Sequence, residues 1–207
     1  MVSRPAAEES LSRNLVARHL RGDPEAFAEL VSLFSARVFN LALRFTGDRA
    51  EAEDLTQEAF LRAYSALPRS KAELPYRPWL LQIAVNLCRD WARRQRPLAF
   101  SDLAGATDDD ADADGGAEAG ADRLADPEPL PPQAAEAREP LADLRRAVMA
   151  LPPALRLVVT LRYNEELSYE QIGQLLNMPP APVGTSLLRA RRRLRAALDP
   201  PDEAGHP

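Results

Sequence analysis

Residues 101–140 offer the chain almost nothing to bury. They hold twelve acids (Asp102, Asp108, Asp109, Asp110, Asp112, Asp114, Glu118, Asp122, Asp126, Glu128, Glu136 and Glu139) against two bases, Arg123 and Arg138. Ala, Gly and Pro fill much of the remainder. Such a composition cannot offset the entropy of ordering its backbone, so the segment is expected to be disordered. As a flexible coil of forty residues it should span roughly 35 Å, from about 5–6 Å times the square root of length. One continuous core is therefore excluded. The expected organisation is an N-terminal helical extension (1–22), a first domain (23–97), an acidic linker (98–140), a second domain (141–198) and a tail (199–207).

The same segment changes the meaning of the net charge. A total of −5 argues against a nucleic-acid partner. The acidic stretch alone carries −10, which leaves the rest of the chain at +5. Two mildly basic blocks joined by an acidic strap are compatible with DNA or RNA.

Each block reads as helical. Leu11, Leu15, Val16 and Leu20 suggest a short amphipathic helix stopped at Gly22. Asp23-Pro24 is an N-cap followed by proline at the first helical position. Phe27, Leu30, Val31, Phe34, Val38, Leu41 and Phe45 then recur at spacings of three and four, the pattern of a long core helix. Gly47 suits a left-handed helix stop. Asp48 with Glu51 three residues on is a capping-box pattern for the next helix. There Leu55, Ala59, Ala63 and Leu67, with Phe60 and Tyr64, predict a buried stripe. Asp54, Gln57, Glu58 and Leu61 share another face, one turn apart. That face is either a solvated acidic surface or, with Leu61 among the carboxylates, a docking surface for a basic helix.

A loop with Pro68, Pro75 and Pro78 and the bases Arg69, Lys71 and Arg77 leads to a further helix. Its inward stripe is Leu80, Ile83, Ala84, Leu87 and Trp91, and Pro97 ends it. Asn86, Asp90, Arg93 and Arg94 fall on a different face. Tyr76 and Trp79 flank Arg77, and Arg89, Arg93 and Arg94 follow. Aromatic faces beside a basic groove suit unpaired nucleic acid; Trp79 equally suits a core position.

In the second block Leu141, Leu144, Val148 and Leu151 mark one helix, and Leu155, Val158 and Val159 the inward face of the next. Leu167-Ser168-Tyr169-Glu170-Gln171-Ile172 reads as a capping box with a hydrophobic staple. Gly173 allows close helix crossing, and Asn177 suits the turn that follows. A last helix from about Pro182 points Val183, Leu187, Leu194 and Leu198 inward. This is a helix-turn-helix pattern, whose second helix meets base edges with its N-terminal residues. Those are Pro180, Ala181, Gly184, Thr185 and Ser186, then Leu188 and Arg189. Arg191, Arg192, Arg193 and Arg195 add phosphate-binding charge, unless the helix is simply a solvated arginine-rich end. No β pattern occurs, so the expected class is all-α, two small helical domains joined by a flexible acidic linker.

Other classes fit poorly. There is no glycine-rich phosphate loop, nucleophile elbow or metal-ligand cluster, so no catalytic residue, metal or cofactor is expected. The single cysteine, Cys88, fits a reducing cytoplasm and a core position. No run of eighteen apolar residues appears, so no membrane insertion is expected.

Glu53-Asp54-Leu55-Thr56-Gln57-Glu58-Ala59-Phe60-Leu61-Arg62-Ala63 resembles the polymerase-binding segment of bacterial sigma factors of the extracytoplasmic-function (ECF) group, in the sigma-70 family. The likeness continues through Pro78-Trp79-Leu80-Leu81-Gln82-Ile83-Ala84-Val85-Asn86-Leu87-Cys88-Arg89-Asp90. It returns in Leu167-Ser168-Tyr169-Glu170-Gln171-Ile172 and in Arg189-Ala190-Arg191. The resemblance implies that residues 23–97 are a sigma region 2-like domain and 141–198 a region 4-like domain. Asp54, Gln57, Glu58 and Leu61 would then meet the clamp helices of core RNA polymerase. Tyr76, Arg77, Trp79, Asn86, Arg89, Arg93 and Arg94 would bind the −10 element and a flipped base of the non-template strand. Ser168, Pro180, Ala181, Gly184, Thr185, Ser186, Arg189, Arg192 and Arg193 would bind the −35 element. An anti-sigma factor is an implied further partner.

One departure stands out. Where the family often has Gly-Thr-Val-Lys-Ser-Arg, this chain has Ala181-Pro182-Val183-Gly184-Thr185-Ser186, two positive charges fewer. A weaker or unusual −35 preference is expected. The linker would occupy the family's path toward the template strand; it is either a soluble spacer or an acidic screen over the basic faces. The alternatives to a sigma factor are a helix-turn-helix regulator acting without core polymerase, and an interaction module that has lost DNA binding.

Overall fold

The computed structural model describes residues 4–69, 75–95 and 138–198. The expectations for the linker at 98–137, for Lys71, Arg96 and Pro97, and for the tail lie outside the described residues. Among the described residues there are eight α-helices and no strand. They fall into two compact units, one within Met1–Arg94 and one within Gln95–Pro207.

The first unit holds α1 (Arg4–Leu20), α2 (Pro24–Thr46), α3 (Arg49–Ala66), a 3-10 turn (Leu67–Arg69) and α4 (Tyr76–Gln95). Its corners are fixed by local chemistry. Gly22 takes φ +93° after α1. The Asp23 side chain then caps α2, accepting from the Glu25 N–H at 3.0 Å. Arg18 pairs with Asp23 at 2.7 Å and with Glu29 at 2.9 Å, tying α1 to the start of α2. The Arg18 hydrogen bond also holds the Asp23 carboxyl below the ordinary carboxylate range. Gly47 takes φ +75° and donates to Leu43 O at 2.8 Å, closing α2. Asp48 caps α3 by accepting from Glu51 N–H at 3.1 Å.

α2 is the central rod, burying Ala26, Leu30, Phe34, Val38, Leu41, Ala42 and Phe45. By length and composition alone it is apolar enough to cross a membrane, with a mean hydropathy of 1.4. Here that apolar surface packs against α1 and α3. Phe27 and Val31, expected inward, are only half-buried. Ring pairs set Tyr76 of α4 beside Phe34 (5.3 Å) and Trp91 beside Phe45 (6.0 Å). α4 therefore runs along α2 in the same sense.

The capping box expected at Asp48 forms only by half. The Glu51 carboxylate accepts from Trp91 Nε1 at 2.7 Å, and the Asp48 N–H goes to Thr46 Oγ1 at 3.2 Å. Trp91, assigned to the core from sequence, is half-buried and clips the end of α4 to the start of α3. Trp91→Phe keeps an aromatic ring but loses this bond and part of the indole's contact with Phe45. It should destabilise the first unit by about 1.5–3 kcal/mol, the range for a hydrogen bond to a charged group. Urea unfolding followed by far-UV circular dichroism reads this; an unchanged midpoint would remove the clip.

The second unit holds α5 (Arg138–Ala150), α6 (Pro153–Tyr163), α7 (Tyr169–Leu176) and α8 (Pro180–Leu198). α5, α6 and α7 all pack on α8. The core includes Ala147, Leu151, Leu157, Val158, Leu161, Ile172, Leu175, Leu176, Val183, Leu187 and Ala190. Two expectations fail. Leu141 is 67% exposed and Leu144 also faces out, so α5 is anchored only by its last turns. α8 begins at Pro180, Leu194 is half-buried, Leu198 is exposed, and Ala190 supplies the inward contact. The buried Arg156 bridges α5 and α6, donating to Leu151 O at 3.0 Å and also to Met149 O. It satisfies carbonyls that a helix end leaves open.

The helix-turn-helix corner forms as its residues dictate. Ser168 Oγ accepts from Gln171 N–H at 3.2 Å, and Gln171 Oε1 accepts from Ser168 N–H at 2.8 Å. Asn177 turns the chain at φ +55°. A Cβ added to Gly173 would lie 2.6 Å from the Met178 carbonyl oxygen, so only glycine permits this close a crossing.

Candidate protein and nucleic-acid interfaces

Three surfaces emerge. The first is the outer face of α3. Asp54 and Gln57 are exposed, Glu58 is half-buried and Leu61 is 63% exposed. Glu53 pairs with Arg49 at 2.9 Å and Glu58 with Arg62 at 2.7 Å. These exposed i,i+4 pairs are weak and readily exchanged for another partner. Asp54 has no ion-pair partner among the described residues. The ridge is thus an uncompensated carboxylate, an amide and an apolar side chain in a row.

Tyr64 extends that ridge, contrary to its expected place in the buried stripe. It is 54% exposed, with its ring 5.0 Å from Phe27 and 5.3 Å from His19. Leu55, Ala59, Phe60, Ala63 and Leu67 are buried as expected. Spacing alone placed Tyr64 at the stripe's edge; the half-buried Phe27 and His19 decide on which side its ring lies.

The second surface is on α4. Trp79, Gln82, Asn86, Arg89 and Arg93 follow one another by three or four residues, on one side of the helix. From Trp79 to Arg93 the stripe runs about 21 Å at 1.5 Å per residue. Asn86 is exposed and accepts from Gln82 Nε2 at 3.2 Å. Arg93 is exposed and ion-paired with Asp90. Arg94 is exposed on the adjoining side, and Arg77 and Arg89 are half-buried. Trp79 is half-buried, its ring 5.6 Å from that of Tyr76. Tyr76 itself is a correction. It is only 3% exposed, and desolvation raises its phenol pKa. It supports Trp79 from behind and offers no face to a base.

The third surface is on α8. Pro180, Ala181, Thr185, Arg189, Arg192 and Arg193 are exposed. Among the described residues none of these three arginines meets an acid. Gly184 is half-buried beside Tyr169, where an added Cβ would lie at an ordinary 3.6 Å from the ring. Ser186 is the second correction: it is buried and faces the core, so it does not belong to the outer surface. Only one of the two missing charges, at Gly184, therefore bears on that surface. Ser168 uses its hydroxyl oxygen as the α7 cap. Leu188, exposed between Thr185 and Arg192, belongs to this face as well.

Both units match known families in order. Residues 30–97 match the family described as Sigma-70 region 2, and residues 141–194 match Sigma-70, region 4. The chain is 32% identical to the ECF RNA polymerase sigma factor SigW of Bacillus subtilis, across 92% of this chain and 98% of that one. It is 36% identical to the RNA polymerase sigma-H factor of Pseudomonas aeruginosa, covering 91% and 94%. Against the ECF RNA polymerase sigma-E factor of Escherichia coli K12 the figures are 30%, 94% and 97%. Its fold is similar to that of CnrH solved in complex with the cytosolic domain of CnrY, at a TM-score of 0.62 and 23% identity, covering 91% and 97% of the two chains. It is also similar to the sigma factor RpoE of Bartonella quintana solved with the anti-sigma factor NepR, at 0.57 and 19%, covering 83% and 96%.

Proposed function

The chain belongs to the ECF RNA polymerase sigma factors of the sigma-70 family, and from that premise we propose how its three surfaces divide the work of starting transcription. A sigma factor binds core RNA polymerase and directs it to promoters. In this chain α3 is the polymerase surface, with Asp54, Gln57, Glu58 and Leu61 facing a basic helical partner. Complementary charge there steers encounter and fixes register. The α4 stripe is the −10 surface: Trp79 offers a ring edge supported by Tyr76, while Asn86, Arg89, Arg93 and Arg94 track the strand. α8 is the −35 surface, with Pro180, Ala181, Gly184 and Thr185 toward base edges and Arg189, Arg192 and Arg193 toward phosphates.

The observation that carries this reading is that α3 presents an uncompensated carboxylate, Asp54, beside the exposed Leu61, while α8 presents Arg189, Arg192 and Arg193 with no acid meeting them among the described residues. The protein works in the cytoplasm, where polymerase is, and acts as an initiation factor without chemistry of its own. An anti-sigma factor is a further partner, since both similar structures were solved as complexes and the second one's companion is named as such. Co-elution with purified core polymerase in gel filtration separates this reading from the alternative of a helix-turn-helix regulator. The sigma factor co-elutes; the regulator does not.

Gly184→Lys tests the −35 surface. The site accepts a Cβ, and lysine is about 1 kcal/mol better than glycine inside a helix. The added charge should raise affinity for duplex promoter DNA several-fold at low salt and steepen the salt dependence by about one unit. No gain at low salt would place Gly184 away from the DNA.

A further inference from the structure

Five arginines crowd the second half of α8, and the sequence does not say which of them is shaped for a ligand. The structure separates one. Arg191 Nε and Nη2 both donate to the Tyr163 hydroxyl oxygen, at 2.9 and 2.6 Å, and the guanidinium carbon lies 5.8 Å from the Tyr163 ring centroid. Tyr163, at the end of α6, is 52% exposed, and Arg191 is exposed too.

The other fixed arginines of this unit differ. Arg156 and Arg162 donate to backbone carbonyls, Arg162 to Leu167 O at 2.9 Å, and hold the fold together. Arg191 is held by a neutral hydroxyl instead. Its orientation is fixed while its charge stays uncancelled, and no acid among the described residues pairs with it. Both Nη1 protons and one Nη2 proton remain to donate. The phenol oxygen, having accepted from a cation, still has its own proton to give and is polarised to give it. Arg191 also lies three residues beyond the exposed Leu188 and seven beyond Gly184, hence on their side of α8.

We propose that Tyr163 and Arg191 form a preset clamp for one phosphate of duplex DNA, bordering the groove that α8 enters. The guanidinium supplies the charge and a fork of N–H donors; the tyrosine fixes the fork and adds an O–H donor to the same phosphate. Such a contact is indifferent to base sequence and sets how α8 sits over the bases. The clamp rests on the −35 reading of α8.

The test uses the full chain and a labelled duplex of arbitrary sequence, titrated by fluorescence anisotropy over a series of NaCl concentrations. Arg191→Ala should weaken binding about tenfold at low salt and reduce the slope of log affinity against log salt by about one. Arg191→Lys should restore the slope but only part of the affinity, since a point charge replaces the fork. Tyr163→Phe should leave the slope intact and weaken binding about threefold, at the scale of one lost hydrogen bond. Thermal melts of all three variants separate these effects from unfolding. An unchanged slope in a folded Arg191→Ala protein that still binds DNA overturns the clamp and leaves the −35 reading standing. So does a loss of core polymerase binding in its place, which would make the pair a protein contact. No binding of the wild-type chain at any salt overturns clamp and reading together.

Discussion

Asp54→Lys combined with Glu58→Lys should abolish co-elution with core RNA polymerase and leave the helical circular dichroism spectrum unchanged. Both side chains lie on the outer face of α3, one turn apart, and neither contributes to the core. Lysine is as good a helix former as glutamate, so α3 persists. The intrahelical bond from Arg62 to Glu58 is lost, but an exposed pair of this kind is worth about 1 kcal/mol at most. Against a basic partner the change is much larger. Each reversal replaces an attraction with a like-charge contact, and such contacts cost several kcal/mol. A loss of about 4 kcal/mol would weaken the complex roughly a thousandfold. Leu61→Ala, which removes apolar contact without touching charge, should have a smaller effect. Undiminished co-elution of the double variant would detach polymerase binding from this face.

Gly173→Val should unfold the helix-turn-helix corner while sparing the first unit. The site is helical, so the conflict is one of space: a Cβ there would stand 2.6 Å from the Met178 carbonyl oxygen, a backbone atom that cannot rotate away. α7 and α8 must separate, opening the layer that holds Ile172, Leu176, Val183 and Leu187. Overpacking at a closed core site costs about 1–3 kcal/mol, and the β-branched side chain adds to that. The second unit has only four described helices, so a loss of about 3 kcal/mol is a large part of what a small domain possesses. Amide hydrogen exchange should accelerate across α7 and α8 and remain slow in α2. Binding to −35 DNA should fail while polymerase binding persists. Native exchange protection in α7 would show that the crossing tolerates the side chain.

What was legible in the sequence was local. A capping aspartate, a glycine at a helix end, Ser168 with Gln171 and the small Gly173 each act within a few residues, and all appear where their chemistry puts them. The all-α class followed from the same signals. Leu141 was misjudged because α5 packs only through its last turns; Tyr64, Tyr76 and Ser186 share another reason. Each stands at the margin of a helical stripe, where neighbouring positions differ by about 100° and a packed neighbour decides which side is buried. Phe34 draws Tyr76 inward, and Ser186 stands one turn from the buried Val183 and Ala190. The Glu51–Trp91 bond joins residues forty positions apart, and Tyr163–Arg191 twenty-eight, so no local pattern announces either. Asp54, Leu61, Asn86 and Arg192 were legible as surface positions because they lie well away from any apolar stripe.

The most direct measurement is transcription from genomic DNA by core polymerase and this protein alone, with the 5′ ends of the transcripts mapped. Discrete start sites that share an upstream sequence, absent without the protein and lost with the Asp54→Lys, Glu58→Lys variant, are the predicted result. Starts that are scattered, or that appear only when another sigma factor is added, would contradict it.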